Sequence, residues 1–587
     1  MNKTDSSTSL SDIEKTTNLR HGLSHIMAFA VSSIFPDCKL GIGPTTEYGF
    51  FHDFELNRPL NLQDLEIIEE EMKKIIKKNY FFDIVYLKKD EVLDYLHQTR
   101  QVYKAELAAS STEDRLGLVS IGSFKDLCRE VHIKSTSDIN VDSFKLVSVA
   151  GAYWKGDNKR VQLQRINCIA FNNEIDLSQY FEELEIAKSR DHRKLGVEMN
   201  LFLFNDNLGA GLPIYLPKGA FIIKRLQDYI YEKEKDANYQ YVITPSLISE
   251  KMINRNDIFK TLKDNMYEIK DGNENIYLRP INCPQHFLIY KSKIRSYKEL
   301  PIAYNEFAND FRNEKSGSLY GLMRGRTMIQ NDAHIFCKSD QVYEEFLKVL
   351  NMFNEVYRDF NIKEYWFRLT VPSQQGLLPN QIESLNEPTR IIKEALNEIN
   401  MAYTEVEAQT YLSNPRLDVQ IKTNLGKEET LGSIQIDFSS PQQMDLNYIN
   451  KEGLSQSVVV IHRSILGSFD SFLGLLIEIT GGNFPVWLSP IQTRIIPIAS
   501  RHIELANKFK LQLEENNIRT EVDSDDDSMQ NKIRQAQIDK IPYMLIIGDK
   551  ELAQQTVSIR PRLGNVIGMM KLEEFITIIN SDIENKK

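Results

Sequence analysis

The stretch NDFRNEKSGSLYGLMRGR, residues 309–326, decides the fold. It reads as a strand, a polar loop rich in Gly and Ser, and a returning strand, which is the pattern of an antiparallel hairpin. The segment NDAHIFC, residues 331–337, sets Asp332 and His334 two apart, on one face of a strand. Around the hairpin, residues 200–488 alternate apolar strand-like runs (YVITPSL, NIYLRPI, GSIQIDF, SVVVIHR) with helical ones such as QVYEEFLKVLNMFNEVYRDF. That alternation predicts a large α+β domain built on an antiparallel sheet.

Two more positions carry chemistry in this region. NCPQH (282–286) places Cys283 after a strand and before an apolar helix, and HRSILGSF (462–469) begins with His462 where the strand SVVVI ends. Cys283, His334 and His462 are therefore a candidate zinc set, whose three protein ligands leave a position open for substrate. Taken singly, each reads equally well as an inert buried thiol or as an imidazole satisfied by the backbone. A zinc hydrolase is disfavoured, because NCPQH lacks an HExxH-type base.

Near the N-terminus, RHGLSHIM (20–27) puts His21 and His25 four apart, on one face of a helix. Leu19, Leu23, Ile26, Met27, Ala30 and Ile34 form the apolar stripe opposite them, after possible cap residues Thr17 and Asn18. Half of a metal site and two solvated histidines both remain open for this pair. The polar residues 1–17 are expected to be a disordered leader. The clearest helix is 62–78, with Leu65, Ile68, Met72 and Ile75 on one face and its acids ahead of its lysines. The highly charged segment 180–199 reads as a connector, and the tail alternates strand and helix as a compact α/β domain of about a hundred residues.

A chain of 587 residues is too long for one ordinary core, and 42% hydrophobic with 26% charged residues describes a globular protein of several domains. No apolar run approaches a membrane span, and the leader lacks the apolar core of a signal peptide. Five scattered cysteines argue against a disulfide framework and for a reducing compartment. A net charge of −11 argues against nucleic acid as partner, yet KSRDHRK (188–194) and MRGRT (323–327) can supply local positive potential. The acidic run DSDDDS (523–528) reads as a solvated loop.

Taken together, NCPQH, FRNEKSGSLYGLMRGR and NDAHIFC resemble the active-site sheet of the threonyl-tRNA synthetases, a family of class II aminoacyl-tRNA synthetases. The likeness runs from about residue 19 to the C-terminus. It implies a multidomain α+β protein of the bacterial type without the small N-terminal ubiquitin-like domain. An editing domain would occupy 18–180, a linker helix 181–199, a class II catalytic domain 200–488 and an α/β anticodon-binding domain 489–587. It also implies a cytoplasmic homodimer paired through ANYQYVITPS (237–246), with Pro245 at its end. The implied reaction activates threonine with ATP, transfers it to tRNA(Thr) and hydrolyses mischarged Ser-tRNA(Thr).

By that resemblance one zinc per chain, on Cys283, His334 and His462, reads the amino and hydroxyl groups of threonine, with Gln330 and Asp332 bonding the same substrate. Arg312 would grip the α-phosphate, Glu314 and Arg324 would complete the nucleotide site, and Mg²⁺ would accompany ATP. Valine lacks the hydroxyl, and a site built for a polar group rejects such an analogue by factors of about 10⁴ or more. Serine lacks only a methyl group, which yields about 10- to 200-fold, so a second, hydrolytic site is required. The family marks it with HxxxH and a later CxxxH. Here these are His21, His25, Cys128 and His132, joined by Asp126 and by Lys104 from VYKAEL, and the resemblance assigns them to ester hydrolysis without tightly held metal. In the tail, KIPYMLIIGDKE (540–551) and SIRPR (558–562) align Lys540, Glu551 and Arg560 with anticodon contacts.

Several positions depart from the family pattern. Ser471, in GSFDSF, replaces the arginine that contacts the γ-phosphate, and Ser413, in SNPR, replaces a substrate-binding tyrosine, with Tyr411 nearby. Thr430 replaces an ATP-contacting glutamine, Asp526 an anticodon-contacting asparagine, and REV replaces RGP between Cys128 and His132. Two expectations follow: a working ligase with an altered ATP site, or a synthetase-like paralogue that binds tRNA or edits without activating threonine.

Overall fold

The computed structural model describes residues 10–128, 133–157, 159–255, 262–272, 274–373, 379–408, 414–423 and 428–587. The chain divides into two compact units, Met1–Glu185 and Ile186–Lys587. No described helix is long and apolar enough to cross a membrane.

In the first unit, helix α1 (Leu10–Ile34) is followed by strands β1 (Lys39–Leu40) and β2 (Gly49–Glu55), helix α2 (Leu62–Ile76) and strand β3 (Phe82–Lys88). Helices α3 (Lys89–Gln98) and α4 (Val102–Ser110) precede strands β4 (Arg115–Ile121), β5 (Phe124–Leu127), β6 (Phe144–Tyr153) and β7 (Gln162–Ala170). The strands form two antiparallel sheets, in the orders β1-β2-β7-β6 and β3-β4-β5. Helix α2 buries Leu65, Ile68, Met72 and Ile75, as its period requires, and starts at a capping box in which Asn61 and Asp64 exchange side-chain bonds. Helix α1 begins at Leu10, so the later part of the leader is helical, and Thr17 and Asn18 lie inside the helix rather than at its cap. Extending an established helix adds one hydrogen bond for each residue fixed, so the buried turns downstream can carry it through polar sequence. Residues 1–9 of the expected leader lie outside the described part.

The second unit opens where the charged connector was expected. That segment forms two helices, α5 (Glu174–Ser189), which spans the division, and α6 (His192–Glu198). His192 is fully buried: its Nδ1 lies 2.7 Å from Glu478, and its Nε2 accepts the Leu322 N–H at 3.1 Å. The segment is thus partly core, which its charge content concealed.

The elements that build the eight-stranded sheet are helix α7 (Pro217–Asp236), strand β8 (Gln240–Tyr241), helix α8 (Cys283–Lys291), strands β9 (Ile302–Phe311) and β10 (Thr327–Cys337), helix α9 (Val342–Asp359), strands β11 (Trp366–Val371), β12 (Tyr403–Glu407), β13 (Arg416–Lys422), β14 (Glu428–Asp437) and β15 (Val459–Ser468), and helix α10 (Phe469–Thr480). Eight strands run in the order β8-β9-β10-β15-β14-β13-β11-β12, antiparallel except for the two edge pairs. Helices α9 and α10 bury their apolar sides on one face, with Phe346, Leu350, Phe353, Leu473 and Leu476 in the core.

The C-terminal part is a five-stranded mixed sheet: β16 (Thr493–Pro497), β17 (Thr520–Val522), β18 (Tyr543–Ile547), β19 (Val557–Pro561) and β20 (Gly568–Met570), in the order β17-β16-β18-β19-β20. Helices α11 (Ile503–Glu515), α12 (Met529–Ile538), α13 (Asp549–Gln554) and α14 (Leu572–Glu584) alternate with the strands.

Candidate active sites

The sheet register builds the first site. Tyr304 of β9 pairs with His334 of β10, which pairs with His462 of β15, which pairs with Gln435 of β14. Directly opposed residues point to the same face, so His334, His462, Asp332 and Ser464 share one side. Cys283 starts α8, whose Pro284 occupies a position where the missing N–H costs nothing. One donor atom from each of Cys283, His334 and His462 lies within 4.8 Å of the others. The three expected ligands therefore meet. Desolvation raises the Cys283 thiol well above its usual range, with the charges of Asp332 and Asp310 adding to it. Burial holds His334 well below its usual value, reinforced by the neighbouring His462 and His286.

Gln330 and Asp332 precede His334 on β10, and both are partly buried. Burial raises the Asp332 carboxyl, against a lowering hydrogen bond from Ser464. Arg312 leaves the end of β9, within electrostatic reach of Asp310 and Asp332. Among the described residues its side chain makes no hydrogen bond or ion pair. Glu314 and Arg324 instead hold each other, at 2.9 Å.

The second site lies wholly within the first unit. His25 Nδ1 is 2.9 Å from Asp126 Oδ2, and its Nε2 is 3.2 Å from His21 Nε2. Lys104 of α4 donates to the same carboxylate at 3.0 Å, and Cys128 Sγ stands 3.6 Å from His21 Nε2. Burial would raise Asp126, but Lys104 and His25 hold it far below the carboxylate range. Desolvation, then the neighbouring His25, lowers His21 to about 4. A cleft of about 530 Å³ opens over this group, lined by His21, Gly43, Pro44, Lys104, Leu127 and Cys128. His132 and the REV segment lie outside the described residues.

The anticodon candidates lie in the C-terminal part. Lys540 follows α12, Arg560 sits on β19 opposite Met544, and Glu551 accepts the Gly548 N–H at 2.9 Å and the Ser558 hydroxyl at 2.7 Å. The Glu551 carboxylate is thus engaged in capping α13. A third cluster of possible ligands, Asp191, His192 and Glu478, is accounted for by the bonds that bury His192.

Comparison with known proteins agrees with this arrangement. Residues 267–480 match the tRNA synthetase class II core domain (G, H, P, S and T), 492–582 an anticodon binding domain, and 116–167 the threonyl and alanyl tRNA synthetase second additional domain. A threonine–tRNA ligase from Geobacillus sp. (strain WCH70) is 41% identical over 96% of this chain and 88% of its own length. One from Streptococcus agalactiae serotype Ia is 40% identical over 97% and 88%. The chain belongs to the threonine–tRNA ligases. A solved RNA-binding domain of threonyl-tRNA synthetase from Cryptosporidium parvum Iowa II superposes with a TM-score of 0.63 at 30% identity, covering 67% of this chain and 98% of that one. As a member of that family the chain is an aminoacyl-tRNA synthetase with a class II core, an anticodon-binding domain and an editing domain.

Within this ligase framework the departures have physical settings. Ser471 lies in the first turn of α10, where its N–H is capped by Ser468 Oγ at 3.0 Å and its hydroxyl is 2.8 Å from the same oxygen. Arg463, one residue beyond His462, points to the opposite face and pairs with the buried Glu234 at 2.7 Å. It does not replace the cation missing at 471. Thr430 accepts a bond from Gln420 at 2.7 Å. Asp526 is exposed, as a solvated loop requires, whereas Ser413 and Tyr411 lie outside the described residues. Three buried residues behind Cys283, His334 and His462 are not singled out by the sequence motifs: His286, Glu306 and Asp437. NCPQH contains His286, and the strand period puts Glu306 on the site's face, so both signals were present.

Proposed function

We propose that this chain activates threonine with ATP, transfers it to tRNA(Thr), and clears serine from mischarged tRNA(Thr), acting as a cytoplasmic homodimer paired through residues 237–246. The observation that carries this reading is the convergence of Cys283, His334 and His462 beside Asp332, Gln330 and Arg312 on one sheet face.

The donor set fits zinc, because a thiol and two imidazoles are its preferred ligands and three of them leave a position for substrate. When bound there, zinc would supply a Lewis-acid centre that reads the amino and hydroxyl groups of threonine together. The chain's own groups do the rest. Asp332 and Gln330 orient the amine, and Arg312 holds the reacting carboxylate and the α-phosphate in line while negative charge moves onto pyrophosphate. Glu314 fixes Arg324 at the rim for the nucleotide, whose phosphates carry Mg²⁺.

In the editing cleft, Asp126 orients His25, and the neutral His21 is placed to take a proton from water attacking the ester. Lys104 supplies a cation for the developing oxyanion. Threonine-dependent ATP–pyrophosphate exchange, with zinc content measured on the same sample, tests the synthetic half. A zinc-loaded protein with no exchange would favour the editing paralogue, a reading supported by the hydrogen-bonded serine at 471 and the inward turn of Arg463. A stable monomer at micromolar concentration in sedimentation would overturn the dimer.

A further inference from the structure

The hydrogen bonds behind the metal set decide which nitrogen of each histidine can bind. Glu306 is buried and ionised: burial would raise it, but bonds from His286 and the Thr244 N–H, with Arg279 close by, hold it at about 2. His286 is fully buried, with Nε2 3.3 Å from Glu306 Oε2 and Nδ1 2.9 Å from His334 Nδ1. A carboxylate only accepts, so His286 carries its proton on Nε2 and presents the lone pair of Nδ1. His334 must then carry its own proton on Nδ1, which leaves Nε2 with a lone pair. On the other side His462 Nε2 lies 3.2 Å from the buried Asp437 Oδ2, so its proton sits on Nε2 and Nδ1 keeps a lone pair free for a metal.

We propose that Glu306 and His286 form a two-residue relay that fixes His334 as an Nε2 donor, while Asp437 alone fixes His462 as an Nδ1 donor, and that the relay sets the affinity of the site. The inference rests on the zinc reading above. His286 and Glu306 touch neither substrate nor metal and act as positioning residues through His334. A histidine between carboxylate and ligand passes on less negative charge than a direct carboxylate does, so the two arms are unequal. Loss of such outer partners typically weakens metal binding by about 10- to 100-fold.

The test measures zinc affinity on the full chain by chelator competition, with the cobalt(II) absorption spectrum as a second readout. In His286→Gln the amide carbonyl can still accept the His334 Nδ1–H, so affinity should stay within a few-fold of wild type. In His286→Leu no acceptor remains, and affinity should fall by about 10- to 100-fold with an altered cobalt spectrum. Glu306→Leu, which leaves the His286 Nε2–H without its acceptor, should fall similarly, and thermal melting at saturating zinc separates a weakened site from a failed fold. Leu and Gln variants that bind alike, whether both tightly or both weakly, would overturn the relay alone. A wild-type chain that takes up neither zinc nor cobalt would overturn the metal reading, and the relay with it.

Discussion

Restoring a cation at position 471 should strengthen the use of ATP. Ser471 is partly exposed in the first turn of α10, and its N–H is already capped by Ser468, a bond that Ser471→Arg leaves in place. The substitution removes the serine hydroxyl's bonds to Ser468 Oγ, at 2.8 Å, and to Ser468 O, at 3.1 Å. At a half-exposed site that costs about 1 kcal/mol. A cation in the first turn also opposes the helix dipole by about 0.3–1 kcal/mol. Stability should therefore fall slightly. Against this, a guanidinium on a phosphate oxygen contributes about 1.5–3 kcal/mol, equivalent to about 10- to 150-fold in binding. Threonine-dependent ATP–pyrophosphate exchange should show a KM for ATP lowered by about tenfold or more, with the KM for threonine unchanged. A variant that melts close to wild type yet loses exchange by tenfold or more would refute the reasoning, since a group already in that place would have been displaced.

Arg312→Ala should abolish adenylate formation, because no second unpaired cation stands beside Asp332 among the described residues; exchange above one hundredth of wild type would contradict this. His25→Ala should leave threonine activation and the zinc count unchanged while slowing deacylation of Ser-tRNA(Thr), and a second tight zinc lost in His21→Ala would make the N-terminal pair metal ligands instead. His52 is buried in the editing unit, and desolvation, then the charge of Lys104, lowers it to about 3. The unfolded chain takes that proton near pH 6.5, so stability is full above 6.5 and falls as pH drops toward the folded value. By pH 5 the loss from this group is about 2 kcal/mol. Urea midpoints at pH 7 and 5 should show this loss in wild type and less of it in His52→Phe; equal slopes would sink the assignment.

His334 and His462 were legible on their strands because strand periodicity assigns faces without any tertiary information, whereas Cys283, at the start of a helix, joins them only in the folded chain. The same rule separates His462 from Arg463: neighbours on a strand point apart, so Arg463 could never have served the nucleotide. What the sequence hid were features made by packing between distant elements. His286 meets Glu306 and His334 only after α8 lies across the sheet, and His192 finds Glu478 and the Leu322 N–H only in the folded core. In α1, Ala28, which shares the histidines' side, is buried along with the apolar stripe, so the helix is covered on more than one face. A one-dimensional pattern sees the stripe but not the second contact. Glu551, which motif similarity assigns to the anticodon, also caps α13 through local hydrogen bonds that no motif records.

The two ends of the proposed catalytic site are held by different parts of the fold. At the amino-acid end, Glu306, Asp332 and His462 each have a strand neighbour on the underside, namely Asn305, Asn331 and Arg463, and all three of these bind Glu234 of α7. One buried carboxylate thus locks the register of β9, β10 and β15 beneath Cys283, His334 and His462. Truncating any of these partners would leave a buried charge or amide unpaired, which is strongly destabilising. At the proposed nucleotide end the first turn of α10 is tied through Asp470, which accepts the Ile329 N–H at 2.8 Å and the Tyr215 hydroxyl at 2.6 Å, whereas Ser471 beside it is partly exposed and, among the described residues, bonds only to Ser468. Changes such as serine at 471 can therefore accumulate there without moving Cys283, His334 or His462. A chain that binds zinc and threonine normally but exchanges pyrophosphate slowly is physically consistent with this fold, and threonine binding and adenylate formation have to be measured separately to tell a weakened ligase from an editing paralogue.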